Sequence, residues 1–170
     1  REYIAIIDFE GINFSEGMAR ILTQRLTSEM ITLEVYQVLE RSEMKRLLEE
    51  QKFQYSGCVD LNCAVEIGKM IGAKYMVVGS FGKVGNFFTI DSRLINVETS
   101  EAYTSGQYTS DDSIDDIVNY GVKSIAYQLC ELESNIASKS ESKVPDANAL
   151  YAMAATTVLK KSITLLSRKC

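Results

Sequence analysis

The chain contains no histidine. Imidazole is the side chain whose ordinary pKa lies nearest neutrality. Its absence removes Ser-His and Cys-His nucleophile activation, histidine-ligated metals and imidazole acid–base catalysis together. There is one proline, Pro145, and no apolar run approaches the roughly 18 residues of a membrane-spanning helix. Basic charge is not in excess either: 18 Lys and Arg stand against 23 Asp and Glu, a net charge of -5, which argues against a nucleic-acid surface. Carboxylate, lysine or backbone chemistry is what remains. No cofactor is expected, and the expectation is that the chain is not an enzyme.

What is present suits a folded domain with its own core: 170 residues, 46% of them apolar. Residues 3–9 form a short apolar run that reads as a buried strand, 10–14 as a loop, and Ser15 as the N-cap of a helix in which Met18, Ile21, Leu22 and Leu26 keep helical spacing. Residues 33–38 read as a second strand. Ser42 is placed as the cap of a helix with Met44, Leu47 and Leu48 inward. A loop over 54–62 leads to a helix over 63–71, which Gly72 ends. Residues 75–81, 87–97 and 102–108 read as three strands joined by short turns, hence an antiparallel meander, and a long helix follows from Ser113 to Leu129. The expected class is α/β: a βαβααβββα sandwich whose mixed sheet contains the meander and carries packed helices. After this domain, 1–133, a serine-rich linker over 134–146 precedes a C-terminal helix within 147–170.

Several features invite chemistry. Asp8 and Glu10, two residues apart where the first strand ends, are expected to share one face and with Gly11 to form a ligand crevice. No third ligand or base stands nearby, so the simpler reading is that both carboxylates bond loop amides, and no metal is expected. The glycines at 79, 82 and 85 superficially suggest a phosphate loop, but their spacing fits no such fingerprint and a strand follows them, as in a hairpin. Asp111, Asp112, Asp115 and Asp116 lack the glycine and terminal glutamate of a calcium loop, and complement the dipole of the helix they open. Phe87, Phe88, Tyr103 and Tyr108 are expected to pair across strands rather than to line a groove.

Four ordered pieces carry a family resemblance: Ile4-Ala-Ile-Ile-Asp-Phe9; Val38-Leu-Glu-Arg-Ser42 leading into Leu47-Leu-Glu-Glu-Gln51; Glu66-Ile-Gly-Lys-Met-Ile-Gly-Ala-Lys-Tyr-Met-Val-Val-Gly-Ser80; and Arg93-Leu-Ile-Asn-Val-Glu-Thr99. Together the chain resembles the curli assembly/transport (CsgG-type) family and the related lipoprotein activators of penicillin-binding proteins. That resemblance implies an exported bacterial cell-envelope domain without enzymatic activity. Its setting would be the periplasm or the periplasmic face of the outer membrane, with a membrane tether through a lipid anchor upstream of Arg1. It implies action by self-association or by gripping an envelope protein partner. Channel members carry extra membrane hairpins, each needing two strands of about 9 to 11 residues. The short connections here leave no room for them, so the pore itself is not carried over.

Cys58 and Cys63 are open to three readings: a disulfide, half of a metal site, or free thiols. Only Cys130 and Cys170 remain as further thiolate ligands, and the spacing is not that of a CxxC redox motif. Export, implied by the resemblance, favours a structural disulfide. The leading expectation is an envelope domain working by protein contact. The alternatives are a ring-forming, secretion-channel-related subunit without its membrane hairpins, and a small-ligand-binding domain using Asp8, Glu10 and Gly11.

Overall fold

Consecutive rather than alternating apolar residues at the start of the chain demand a strand covered on both faces, and the computed structural model provides one. It describes residues 1–53, 60–111 and 113–132. The linker and C-terminal helix expected beyond 133 lie outside the described residues, as does Cys58. The elements are β1 (Tyr3–Ile6), β2 (Glu10–Ile12), α1 (Glu16–Leu33), β3 (Gln37–Val38), α2 (Arg41–Glu50), α3 (Leu61–Ile71), β4 (Tyr75–Val84), β5 (Phe87–Asn96), β6 (Ala102–Ser110), α4 (Ile114–Asp116), a π-helical turn (Ile117–Gly121) and α5 (Val122–Leu129). The expected α/β order holds, with the first strand broken in two.

The sheet runs β3-β1-β4-β5-β6, with β2 on β4 beyond the end of β1. β3, β1, β2 and β4 are parallel, and β4, β5 and β6 form the antiparallel meander. The chain crosses the sheet in one direction through α1 and returns through α2 and α3. Crossovers of the same hand therefore put α1 and the α2–α3 pair on opposite faces. Ile4 and Ile6 join a core with Leu22, Leu26, Val77 and Leu129, on the side of α1 and α5. Ala5 and Ile7 join Met44, Leu48, Ile67 and Met76, on the side of α2 and α3.

The break in the first strand is a β-bulge. Ile6 lies opposite Val77 and Glu10 opposite Ser80, so one strand advances four residues while β4 advances three. The extra residue inverts the facing of everything after it. Phe9 accordingly joins the same core as Ile6, with its ring 5.2 Å from that of Phe81. The bulge has its own hydrogen bonds. Ile7 N–H donates to the Val77 carbonyl at 3.0 Å. Phe9 N–H donates to Thr23 Oγ1 at 3.1 Å, and that buried hydroxyl donates to the Ala19 carbonyl at 2.8 Å. Phe9 also lies over Gly79, where a Cβ would fall 2.5 Å from its ring and 2.3 Å from the Asp91 carbonyl oxygen.

The structure corrects several boundaries. The expected loop over 10–14 contains β2, because the bulge lets Glu10–Ile12 resume pairing with β4. The strand expected over 33–38 shrinks to Gln37–Val38 because Leu33 continues the helical stripe of Leu26 and Met30, and α1 ends only at Glu34, whose left-handed φ of 54° closes the helix. Met18 and Ile21 share the helical spacing but face solvent, since Ala19, Leu22, Thr23, Leu26 and Met30 make the buried stripe. Ser42 lies in the first turn of α2, with Glu40 at the cap position. α3 begins at Leu61 rather than at 63, since the Asp60 carboxylate accepts from Cys63 N–H at 2.8 Å. Ser15 and Gly72 cap as expected.

Thr23→Val removes the acceptor of Phe9 N–H at nearly constant volume and leaves a buried donor without a partner. Urea unfolding is expected to show a loss of about 1–3 kcal/mol with an unchanged m-value, and Thr23→Ser a smaller one because its hydroxyl survives.

Candidate interaction surface

The three residues expected to share a crevice are separated by the bulge. Asp8 lines a cavity of about 240 Å³ with Ile6, Thr23, Thr27, Glu40 and Arg41, beside α1 at the carboxyl end of β1. Glu10, facing the other way, lines a cavity of about 190 Å³ with Leu61, Val78, Ser80, Asp91 and Arg93. The shared face expected for Asp8 and Glu10 is thus corrected: a two-residue spacing keeps one face only where no residue is inserted between pairings. Gly11 belongs to neither lining. A Cβ there would stand 2.6 Å from the Phe14 carbonyl oxygen, so glycine permits the tight path from β2 into α1.

The polar groups around Asp8 are largely engaged. Arg41 Nη2 donates to Asp8 Oδ2 at 2.5 Å, and both side chains remain part-exposed, so the pair contributes about 0–1 kcal/mol. The Thr27 and Ser28 hydroxyls donate to the Thr23 and Gln24 carbonyls of their own helix at 2.9 and 3.1 Å. Among the described residues no buried polar side-chain atom lacks a partner, and none of their acidic or cysteine groupings has the makings of a metal site. Gln24 and Glu40, which complete the polar lining, are both exposed.

The second face of the sheet is a different case. α2 and α3 cover it around Ala5, Ile7, Met76 and Val97. Among the described residues, the core that α2 and α3 build on this face does not extend beyond Ser80. Asp91 lies opposite Gln107 and Arg93 opposite Ser105, all four exposed. At the far end Val84 pairs with Phe87 across the hairpin turn, where Gly85 takes a φ of 60°, and Ile12 pairs with Gly82 on the neighbouring strand. Period-2 alternation puts Ile12, Val84 and Phe87 on this same face, at 49%, 66% and 50% exposure. Burying such side chains is worth about 1.5–3 kcal/mol each, a gain that packing among the described residues leaves largely unrealised.

Of the aromatics expected to pair across strands, Phe87, Phe88 and Tyr108 do so, none of them with another of the four. Phe88 lies opposite Lys83 and Ser110, and its ring meets Phe14 edge-on at 6.4 Å. Tyr108 lies opposite Ile90 and donates to Asp116 Oδ2 at 2.8 Å. Burial, followed by that carboxylate, raises its phenol above the ordinary range. Tyr103 packs on Tyr75 at 5.1 Å, and Tyr75 on Tyr36 at 5.9 Å. Burial pushes the Tyr36 phenol up to about 12, with nearby Cys130, Tyr103 and Tyr75 adding to it. Burial alone pushes the Cys130 thiol up to about 11.

Cys130 is therefore a packing residue. Its folded pKa lies above the unfolded one, so its contribution to stability is complete below the unfolded value near 9 and is lost as pH rises through about 11. Peptide mapping after iodoacetamide treatment at pH 8 is expected to find Cys130 unmodified in native protein and modified in urea.

Residues 5–87 match the family described as curli production assembly/transport component CsgG. Among solved structures, the LpoB C-terminal domain from Escherichia coli is similar at 17% identity and a TM-score of 0.55, covering 64% of this chain and 82% of that one. Its counterpart from Salmonella enterica is similar at 14% identity and a TM-score of 0.53, covering 65% and 83%. TolB from Acinetobacter baumannii matches at 14% identity and a TM-score of 0.50 over 75% of this chain and 28% of that one. At such identities the likeness is one of fold. No curated protein matches the sequence.

Proposed function

We propose that this chain, whose residues 5–87 match the CsgG family, is a non-enzymatic cell-envelope domain that works through protein–protein contact on the bare half of its second sheet face. The observation that carries this reading is the cluster of Ile12, Val84 and Phe87, exposed at the end of an otherwise polar sheet face. Apolar clusters rimmed by polar groups mark contact surfaces more often than chance exposure. Arg93, Asp91 and Gln107 supply such a rim. The occupant is another envelope protein or a second copy of the chain, in the periplasm or at the periplasmic face of the outer membrane. No helix among the described residues is long and apolar enough to cross a membrane.

The test is light scattering coupled to size exclusion on the oxidised protein, with Val84→Glu and Phe87→Glu beside the parent. Neither side chain is buried, so both variants should keep the parent's unfolding midpoint. If the parent is a defined oligomer, the variants are expected to fall to monomer. If the parent is a monomer, they should lose a partner cross-linked from envelope extract that the parent retains. Variants that behave as the parent in both assays would refute the surface.

The Cys58–Cys63 disulfide is part of the same proposal, because an envelope setting is oxidising. Cys63 stands in the first turn of α3. A bridge to Cys58 would fasten that turn to the preceding loop and stabilise the fold by roughly 2 kcal/mol. Peptide mass mapping without reductant is expected to find the two cysteines linked. Alkylation of both in native, non-reduced protein would exclude the bridge.

A further inference from the structure

We infer that the outer edge of β6 is a strand-pairing surface held closed by Gln128, and that the strand it would otherwise take is β6 of a second copy. β6 is the last strand of the sheet, nine residues long and without proline or charge. Natural edges are usually blunted by charge, proline, bulges or brevity, because an open row of amides and carbonyls templates further pairing. β3, at the opposite edge, has only two residues. β6 is irregular at Tyr103, where Ala102 lies opposite Ile95 and Thr104 opposite Leu94, and along the regular stretch that follows a side chain stands in the place of a neighbour. Gln107 N–H donates to Gln128 Oε1 at 3.0 Å, and Gln128 Nε2 donates to the Gln107 carbonyl at 3.0 Å. A carboxamide satisfying both backbone groups of one residue reproduces the exchange a partner strand would make.

The cap is held in place from both sides. Gln128 Nε2 also donates to Ser124 Oγ at 3.0 Å, one helical turn back. α5 lies close on the strand because position 106 is glycine: a Cβ there would fall 3.0 Å from Ser92 Oγ, 3.3 Å from Ile125 and 3.4 Å from the Gln128 Cβ. Ser92 holds the strand on its inner side by donating to the Gly106 carbonyl at 3.0 Å. Helix and edge are thus near enough for a single amide to bridge them. Gln107 faces outward, so alternation places Ser105 and Thr109 on the same outward row. These are uncharged residues, and a two-fold antiparallel pairing of β6 with itself would bring no like charges together. An edge that any neutral strand could join meets, in a solution of this chain, the same uncharged edge on every other molecule, and a second copy is therefore the occupant.

The experiment compares the parent with Gln128→Leu, which keeps the volume and removes both bonds. Light scattering over a concentration series is expected to show a mass twice the parent's, reversed by adding Thr109→Pro, which deletes an outward amide. A mass equal to the parent's at every concentration, from a variant with the parent's circular dichroism, would overturn the inference. Hydrogen exchange on the unmodified protein gives a reading that needs no variant. The Gln107 amide is expected to exchange at least tenfold more slowly than those of Ser105 and Thr109. Equal rates would mean that Gln128 does not cap the edge.

Discussion

The hydrogen bond from Phe9 N–H to Thr23 Oγ1 holds the one irregularity on which the rest of the architecture turns. An inserted residue in a strand inverts every later side chain, and the backbone at the insertion loses its ladder partners. Thr23 replaces one of them from α1. Phe9 is thereby turned into the core of α1 and α5, against Phe81 and over Gly79. Glu10 and Ile12 are turned outward to the opposite face, beside Ser80 and Gly82. Without the bulge Glu10 would face the same side as Asp8, and Ile12 would lie away from Val84 and Phe87. The separation of the two cavities and the composition of the bare face are thus consequences of a single extra residue.

The bare face also follows from lengths. β4 and β5 are each ten residues, about 33 Å at strand rise. α3 has eleven residues and α2 ten, about 15 Å each at helical rise. Two short helices packed beside one another cover half of such strands and no more. On the other face α1, with eighteen residues and about 27 Å, is long enough to run beside nearly the whole sheet, and the π-helical turn and α5 extend that cover over β5 and β6. Alternation in β5 reports the difference: Ile90, Ser92 and Leu94 are buried toward the long helices, whereas Asp91 and Arg93 are exposed on the other face, lining a cavity with Leu61 at the very start of α3.

Much of this was legible in the sequence. Periodicity gave the order of elements and the meander, and capping chemistry placed Ser15 and Gly72 at the helix ends where they are found. What escaped was set by pairing rather than by local pattern. Whether Asp8 and Glu10 share a face depends on how many residues of β4 lie between their partners, a property of two strands at once. Leu33 suits a strand by alternation and a helix by spacing from Met30, and the packing of α1 on the core decides for the helix. The exposure of Ile12, Val84 and Phe87 was hidden for the same reason. Each sits in a run that reads as an ordinary strand end, and only the reach of the described helices decides that none of them covers it.

Edges and faces then stand in contrast. A sheet that works by contact has two ways to meet a partner, through its backbone at an edge or through its side chains on a face. Here the backbone route is narrow at both ends. β3 is too short to template a strand, and β6 is closed at its middle by Gln128. Edge pairing is tolerant of sequence, since any extended chain supplies amides and carbonyls. A face recognises by the size, shape and charge of its side chains. Closing the edges while leaving Arg93, Asp91, Ile12, Val84 and Phe87 in the open removes the indiscriminate route and keeps the selective one. Under the proposed contact role, the cap on β6 and the face left open among the described residues are two parts of one arrangement.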